Sequence, residues 1–256
     1  MRRRARTPEA IAISERELAA MTSDLDQIHN DVAMPAMDRA VHEWTERSRT
    51  SRRGFLIGAG ALAGGAVLAA CSSGGSSSTT TTMGAGAGKL TGDLAVAALA
   101  AGLENLAVAA YGDVLTAATA GKLGAVPPAV ATFVTTVKSQ HSQHAQAWNS
   151  AIVAAGHQAV TTPDAVLTPV VTKDFAKVTD VTGAAKLALM LEDIAAATYQ
   201  SAVGAVKATG SIRVAASIQP VEMQHAAILN FVLGQYPVPN AFSPLAVARP
   251  LTDYTG

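Results

Sequence analysis

Val221-Glu222-Met223-Gln224-His225 decides how the chain is read. Glu222 and His225 stand three apart. Three helical steps leave them about 60° apart on the wheel, so on a helix they project from one face. The run around them, 218–233, is apolar with a helical period whose inward positions are Ile218, Val221/Glu222, His225, Leu229 and Val232. Two ionisable groups are therefore aimed into a core. Burying even a neutral polar group without a partner costs on the order of 2–7 kcal/mol. An ion gripped by this pair and by ligands from neighbouring helices would compensate, so the other ligands should be visible elsewhere in the chain.

Apolar periodicity predicts four helices. The first covers about 90–119, with Leu94, Ala97, Ala101, Glu104, Val108, Tyr111 and Leu115 on one stripe, and Gly121 and Gly124 closing it. The second covers about 128–155, opened by Pro127-Pro128 and ended by Gly156. Its stripe is Val130, Val134, Val137, His141, His144, Trp148 and Ile152. A Pro- and Thr-containing connection, 157–181, follows. The third covers about 182–208, with Ala185, Ala188, Glu192, Ala196, Tyr199 and Val203 inward, and the fourth about 211–234. Short links between the first and second and between the third and fourth make two antiparallel hairpins, and the long middle link permits a crossover.

The hairpins repeat. Leu103-Glu-Asn-Leu-Ala-Val-Ala-Ala-Tyr111 aligns with Leu191-Glu-Asp-Ile-Ala-Ala-Ala-Thr-Tyr199, sharing Leu, Glu, two Ala and Tyr. Each is followed by a helix with a stripe histidine, His144 after Glu104 and His225 after Glu192. Beyond Cys71 the only glutamates are Glu104, Glu192 and Glu222, all on inward stripes, whereas surface helices usually carry Glu outside. His141, His144 and His225 are on stripes as well, and His157 is in the connection.

These residues resemble the ferritin-like superfamily, whose pattern is a Glu on each of two helices and Glu-x-x-His on each of the other two. Glu104 and Glu192 match the lone glutamates, Glu222 and His225 the second Glu-x-x-His, and His144 the histidine of the first. One position departs: the first motif reads His141-Ser-Gln-His144, with His141 where a bridging carboxylate is usual. The resemblance implies an all-α fold, a ferritin-like four-helix bundle of two antiparallel helical hairpins joined by a long crossover. It implies one or two transition-metal ions held by Glu104, His144, Glu192, Glu222, His225 and His141. Carboxylate and imidazole suit Fe or Mn, with Zn also accommodated. Oxidase, peroxide-removing or iron-handling activity would follow. Because His141 replaces a carboxylate, a non-catalytic helical module with a decayed site is the competing expectation. Tyr111 and Tyr199, two turns beyond their glutamates, read chiefly as core with a buried hydroxyl partner. Trp148 reads as core, and Asp193 as solvated or paired with Lys.

The rest of the chain suggests where the bundle works. Residues 1–50 are polar and charged, with a weak period of Ile13, Leu18, Met21, Leu25 and Ile28. They read as a solvated or disordered leader, or as untranslated sequence before a start at Met34 or Met37. At 51–71, Ser51-Arg52-Arg53-Gly54-Phe55-Leu56, an apolar Gly-rich run and Leu68-Ala69-Ala70-Cys71 resemble a twin-arginine export signal ending in a lipobox. The apolar run is short of the ~20 residues that span a bilayer. Cys71 would be the lipidated first residue of an exported protein anchored at the outer face of the cytoplasmic membrane. It is the only cysteine, so no internal disulfide forms. Residues 72–88 form a Ser/Thr/Gly tether, 89–236 the bundle, and 237–256 a Pro-rich tail expected to wrap it. Nineteen basic residues balance nineteen acidic ones, which excludes a nucleic-acid footprint. The twin-arginine export machinery and the membrane are the implied partners. A homodimer is compatible, whereas a closed storage shell fits poorly with an anchor on every subunit.

Overall fold

Alanine-rich segments build long helices, and small side chains let those helices approach closely. The computed structural model describes residues 12–47 and 89–252. The Arg52-Arg53 motif, Cys71 and the 72–88 tether lie outside the described residues. In chain order the elements are α1 (Glu15–Ile28), a π-helical turn (His29–Ala33), α2 (residues 34–47), α3 (Asp93–Thr119), α4 (Pro128–Ala154), α5 (Thr168–Phe175), α6 (Val181–Ala205), α7 (Thr209–Val232) and a 3-10 turn (Leu245–Val247). No strand occurs among the described residues. The fold is the expected all-α bundle: α3–α4 and α6–α7 pair as hairpins, and the crossover joins them.

Local chemistry sets the ends. Pro128 opens α4 where its missing N–H costs nothing. Gly156 closes it at φ 88°, with His157 N–H bonded back to Ile152 O (3.2 Å) in a Schellman arrangement. The Asp180 side chain caps α6 by accepting from Gly183 N–H at 2.7 Å. Asp93, in the first turn of α3, accepts from Ala208 N–H (2.7 Å) and Ser211 Oγ–H (2.5 Å), so the start of α3 is fastened to the start of α7. Helix α3 is long and apolar enough to cross a membrane, yet most of it is buried inside the bundle.

The connection is not wholly irregular, because α5 forms within it. Asn149 clamps Val160 in both directions (2.7 and 2.9 Å), Asn105 donates to the same carbonyl at 2.9 Å, and Asp164 N–H reaches Gly102 O at 2.8 Å. The chain beyond α7 runs along α6. Arg249 N–H donates to Thr198 Oγ1 (2.9 Å), and its guanidinium donates to Asp164 at 3.3 Å.

The N-terminal region corrects the sequence reading. Residues 15–47 are helical and laid on the bundle; they are neither a solvated nor a disordered leader. Ser14 and Glu17 form a capping box that starts α1. Ile13, Leu18 and Leu25 join the core at one end of the bundle, and Met37, Ala40 and Trp44 join it at the other. Leu18 and Met37 are fully buried, and fully burying one such side chain contributes about 1.5–3 kcal/mol. Trp44 meets Trp148 edge to face at 6.3 Å, and Glu43 pairs with Arg213 at 2.5 Å.

Candidate metal centre

Three glutamates and three histidines converge midway along the bundle, each 2% exposed or less. Helix α3 supplies Glu104, α4 supplies His141 and His144, α6 supplies Glu192, and α7 supplies Glu222 and His225. All six sequence-predicted ligands are together. They form two overlapping groups, Glu104–His141–His144–Glu222 and His141–Glu192–Glu222–His225. In each group, one ligand atom per residue lies within 4.8 Å of every other. Opposite ligands of an ion with bonds near 2.1 Å stand about 4.2 Å apart.

Glu222 and His141 belong to both groups. His141 presents one ring nitrogen to each half: Nδ1 lies 2.7 Å from Glu104 Oε2, and Nε2 lies 3.2 Å from Glu192 Oε1. His144 Nδ1 is 2.9 Å from Glu222 Oε1 and 3.6 Å from Glu104 Oε2. His225 Nδ1 is 3.2 Å from Glu192 Oε2 and 3.4 Å from Glu222 Oε2. Both Glu222 oxygens and His144 Nδ1 are buried without a hydrogen-bond partner. His144 Nδ1 and Glu222 Oε1 are therefore close but not aligned to bond each other. Deep, orphaned donor atoms gathered about common points are what a metal ion would satisfy, so the residues present fit such a group.

Without an ion the centre balances itself with protons. Burial opposes a charged ring at His141, but the Glu222 and Glu192 charges outweigh it and hold the pKa well above the usual imidazole range. Burial is likewise outweighed at His144, chiefly by Glu104, which lifts it to about 9, and at His225, chiefly by Glu192. Burial would raise Glu104, yet the His144 charge brings it down to about 2. Glu192 is held well below its usual value against burial by His141 and His225.

The repeat has a structural meaning that its spacing did not disclose. Each tyrosine serves the carboxylate of the other hairpin: Tyr111 donates to Glu192 and Tyr199 to Glu104. Trp148 Nε1–H donates to the Tyr199 hydroxyl at 3.0 Å. Burial, then the facing carboxylate, raises both phenols well above their usual range, so they stay protonated donors. Asp193 is partly buried; burial first, then the Glu192 charge, raises its carboxyl.

His29, Gln140 and Asp26 also belong to the centre and were missed by the sequence reading. His29 Nε2 lies 3.2 Å from His144 Nε2, with the rings tilted at 47°. Burial, then the charges of His144 and His225, lowers its pKa to about 3 and keeps it neutral. Gln140 Oε1 is 2.7 Å from His225 Nε2, and its amide donates to Asp26 at 3.5 Å. His29 and Asp26 sit on the segment read as a leader, so nothing tied them to the bundle in advance. The stripe Leu18, Thr22, Leu25, His29 is nonetheless regular in the sequence.

The geometry defines a helical bundle with a buried carboxylate–imidazole cluster. A family model for the ferritin-like domain matches residues 92–235, more than half of the chain, and the chain belongs to that family. No curated protein and no solved structure gives a significant match.

Proposed function

We propose that the bundle binds one or two Fe or Mn ions and works as an exported, lipid-anchored protein in oxidase, peroxide-removing or iron-handling chemistry. The observation that carries this is the pair of ligand groups sharing His141 and Glu222, with the Glu222 oxygens left unpartnered in the core. Glu104, His144, Glu192, Glu222, His225 and His141 would hold the ions. Iron or manganese there would supply one-electron redox chemistry toward oxygen or peroxide. The chain's own part is to orient and exclude: Tyr111 and Tyr199 hold Glu192 and Glu104 by hydrogen bonds, Gln140 holds His225, and the surrounding apolar side chains keep bulk water out. The Arg52-Arg53 motif and the Leu68-to-Cys71 pattern support export and anchoring, since the twin-arginine route carries folded proteins and lets metal be inserted first.

The test is metal per chain in purified full-length protein, beside Glu222→Ala. We expect one to two ions in the wild type and a fall toward zero in the variant. Metal near zero in both overturns the proposal. Intact mass of membrane-extracted protein checks the anchor, because a lipid-bearing N-terminal Cys71 is expected. His141 in place of a carboxylate favours one other reading, a decayed site on a helical binding module. That protein would melt at the same temperature with and without a chelator, whereas a loaded centre would not.

A further inference from the structure

The seam between α4 and α7, the two helices that carry the histidine ligands, is where α1 and the π-helical turn lie. Ala12 N–H bonds Val232 O at 2.8 Å at one end of this docking. At the other end, α2 is pressed so close that a Cβ on Gly210 would stand 2.3 Å from Trp44 Cβ. Between these points the segment reaches both ligand histidines. His144 turns Nδ1 inward and Nε2 to His29, and His225 turns Nδ1 inward and Nε2 to Gln140.

The chemistry of the outer contacts is directional. A carboxylate only accepts, so Gln140 must turn its amide nitrogen to Asp26 and its carbonyl oxygen to His225. A carbonyl oxygen also only accepts, so when the His225 ring is neutral its one proton is kept on Nε2 and the Nδ1 lone pair is left for a metal ion. His29 does the same for His144 with a ring nitrogen as acceptor. Metal-ligating histidines depend on such outer partners, whose removal typically costs 10–100-fold in affinity. A π-helical turn is rare and occurs frequently at functional sites; here it begins at His29.

We infer that residues 12–47 are the outer wall of the metal centre, and that His29 and Asp26 are positioning residues that hold His144 and His225 with Nδ1 toward the ions. The inference rests on the metal-binding reading above. It has a consequence for processing: the Cys71 cleavage pattern lies between this wall and the bundle, so cleavage there would cut the covalent link between them.

The experiment titrates full-length chain with Mn(II), reading free Mn(II) by electron paramagnetic resonance, and melts each protein in chelator. His29→Phe fills the space without an acceptor, and His29→Gln restores one. Expected are a 10–100-fold loss of apparent affinity in His29→Phe and affinity within about threefold of wild type in His29→Gln, with similar chelator melting curves. Asp26→Ala, an exposed change on the same segment, should weaken Mn(II) by several-fold and reads the second contact should His29→Phe not fold. Wild-type affinity in both His29→Phe and Asp26→Ala overturns the positioning role while leaving metal binding intact. Equal losses in His29→Phe and His29→Gln overturn it too, since bulk rather than an acceptor would then matter. No uptake of Mn(II) by the wild type, and none of Fe(II) in the same titration run without air, would sink the metal reading itself, and the inference with it.

Discussion

Titrating the protein with and without metal should give stability curves that diverge as pH rises. In the metal-free chain His144 is lifted from 6.5 to about 9. Its contribution is therefore fully present below pH 6.5 and is lost as pH climbs through 9. The lift from 6.5 to about 9 corresponds to about 3 kcal/mol of stability. Glu104, lowered from 4.5 to about 2, contributes above pH 4.5 and loses that as pH falls through 2. The two shifts describe one ion pair seen from either side and are not summed. His29, lowered to about 3, adds an acid limb, because below pH 6.5 the unfolded chain takes a proton that the folded chain refuses. Metal-free stability should thus peak near pH 6.5. Ion binding cancels the alkaline limb, since it needs neutral rings and so displaces protons from His141, His144 and His225, leaving loaded stability nearly flat above pH 6.5. Each proton displaced strengthens apparent binding about tenfold per pH unit; three displaced give roughly 1,000-fold, or about 4.1 kcal/mol, between pH 6.5 and 7.5. Thermal unfolding from pH 5 to 9 in chelator and in excess Mn(II) reads the divergence, and calorimetry in two buffers of different ionisation enthalpy counts the protons. Parallel curves, or a proton count of zero, would show that ions do not displace protons from these rings.

Four further changes have outcomes set by the geometry. Tyr111→Phe removes the donor to Glu192 and should lower metal-free stability by about 1.5–3 kcal/mol in denaturant unfolding. Tyr199→Phe should cost about 1–3 kcal/mol more than that, because it also strands Trp148 Nε1–H. Gly210→Ala drives a methyl into Trp44 and the Ala40 carbonyl (2.3 and 2.8 Å), so about 1–3 kcal/mol should be lost, with amide-exchange protection falling in 12–47 before the bundle. His141→Glu supplies a fourth carboxylate: the metal-free protein should melt lower, by an amount on the order of the 3–5 kcal/mol of a broken buried pair, while Mn(II) stoichiometry measured by metal analysis reaches two.

The bundle was legible because its signal is local. Helical period, Pro128, Gly156 and the confinement of glutamate to inward stripes survive in the bare sequence, and helical spacing alone put Glu222 and His225 on one face. What stayed hidden depends on pairings between distant segments. The exchange of tyrosines between hairpins requires knowing that α3 faces α6. The N-terminal segment was obscured by its charged outer face, although Ser14-Glu15-Arg16-Glu17 is a capping-box pattern and Leu18, Thr22, Leu25 and His29 mark its buried side. Helix α5 was hidden by Pro169, which stands near the start of that helix, where proline is tolerated.

The departure at His141 explains how such a core can fold before it meets an ion. Four carboxylates at this depth would leave an excess of buried negative charge that two histidines could not cancel, and unpaired buried charge costs several kcal/mol. With His141 the count is three carboxylates against three imidazoles, and the proton distribution favours ions on both sides. The metal-free centre is then hydrogen-bonded, save for the Glu222 oxygens and His144 Nδ1 that point at the shared space. Loading exchanges protons for metal at nearly constant charge. The geometry of His141, with a nitrogen facing each half, keeps both halves coupled through one ring where the usual pattern couples them through a carboxylate. A neutral imidazole has one lone pair, so His141 would hold an ion in one half only, whereas a carboxylate there could serve both. The same substitution that makes the metal-free fold stable therefore loosens the coupling between the two halves of the site.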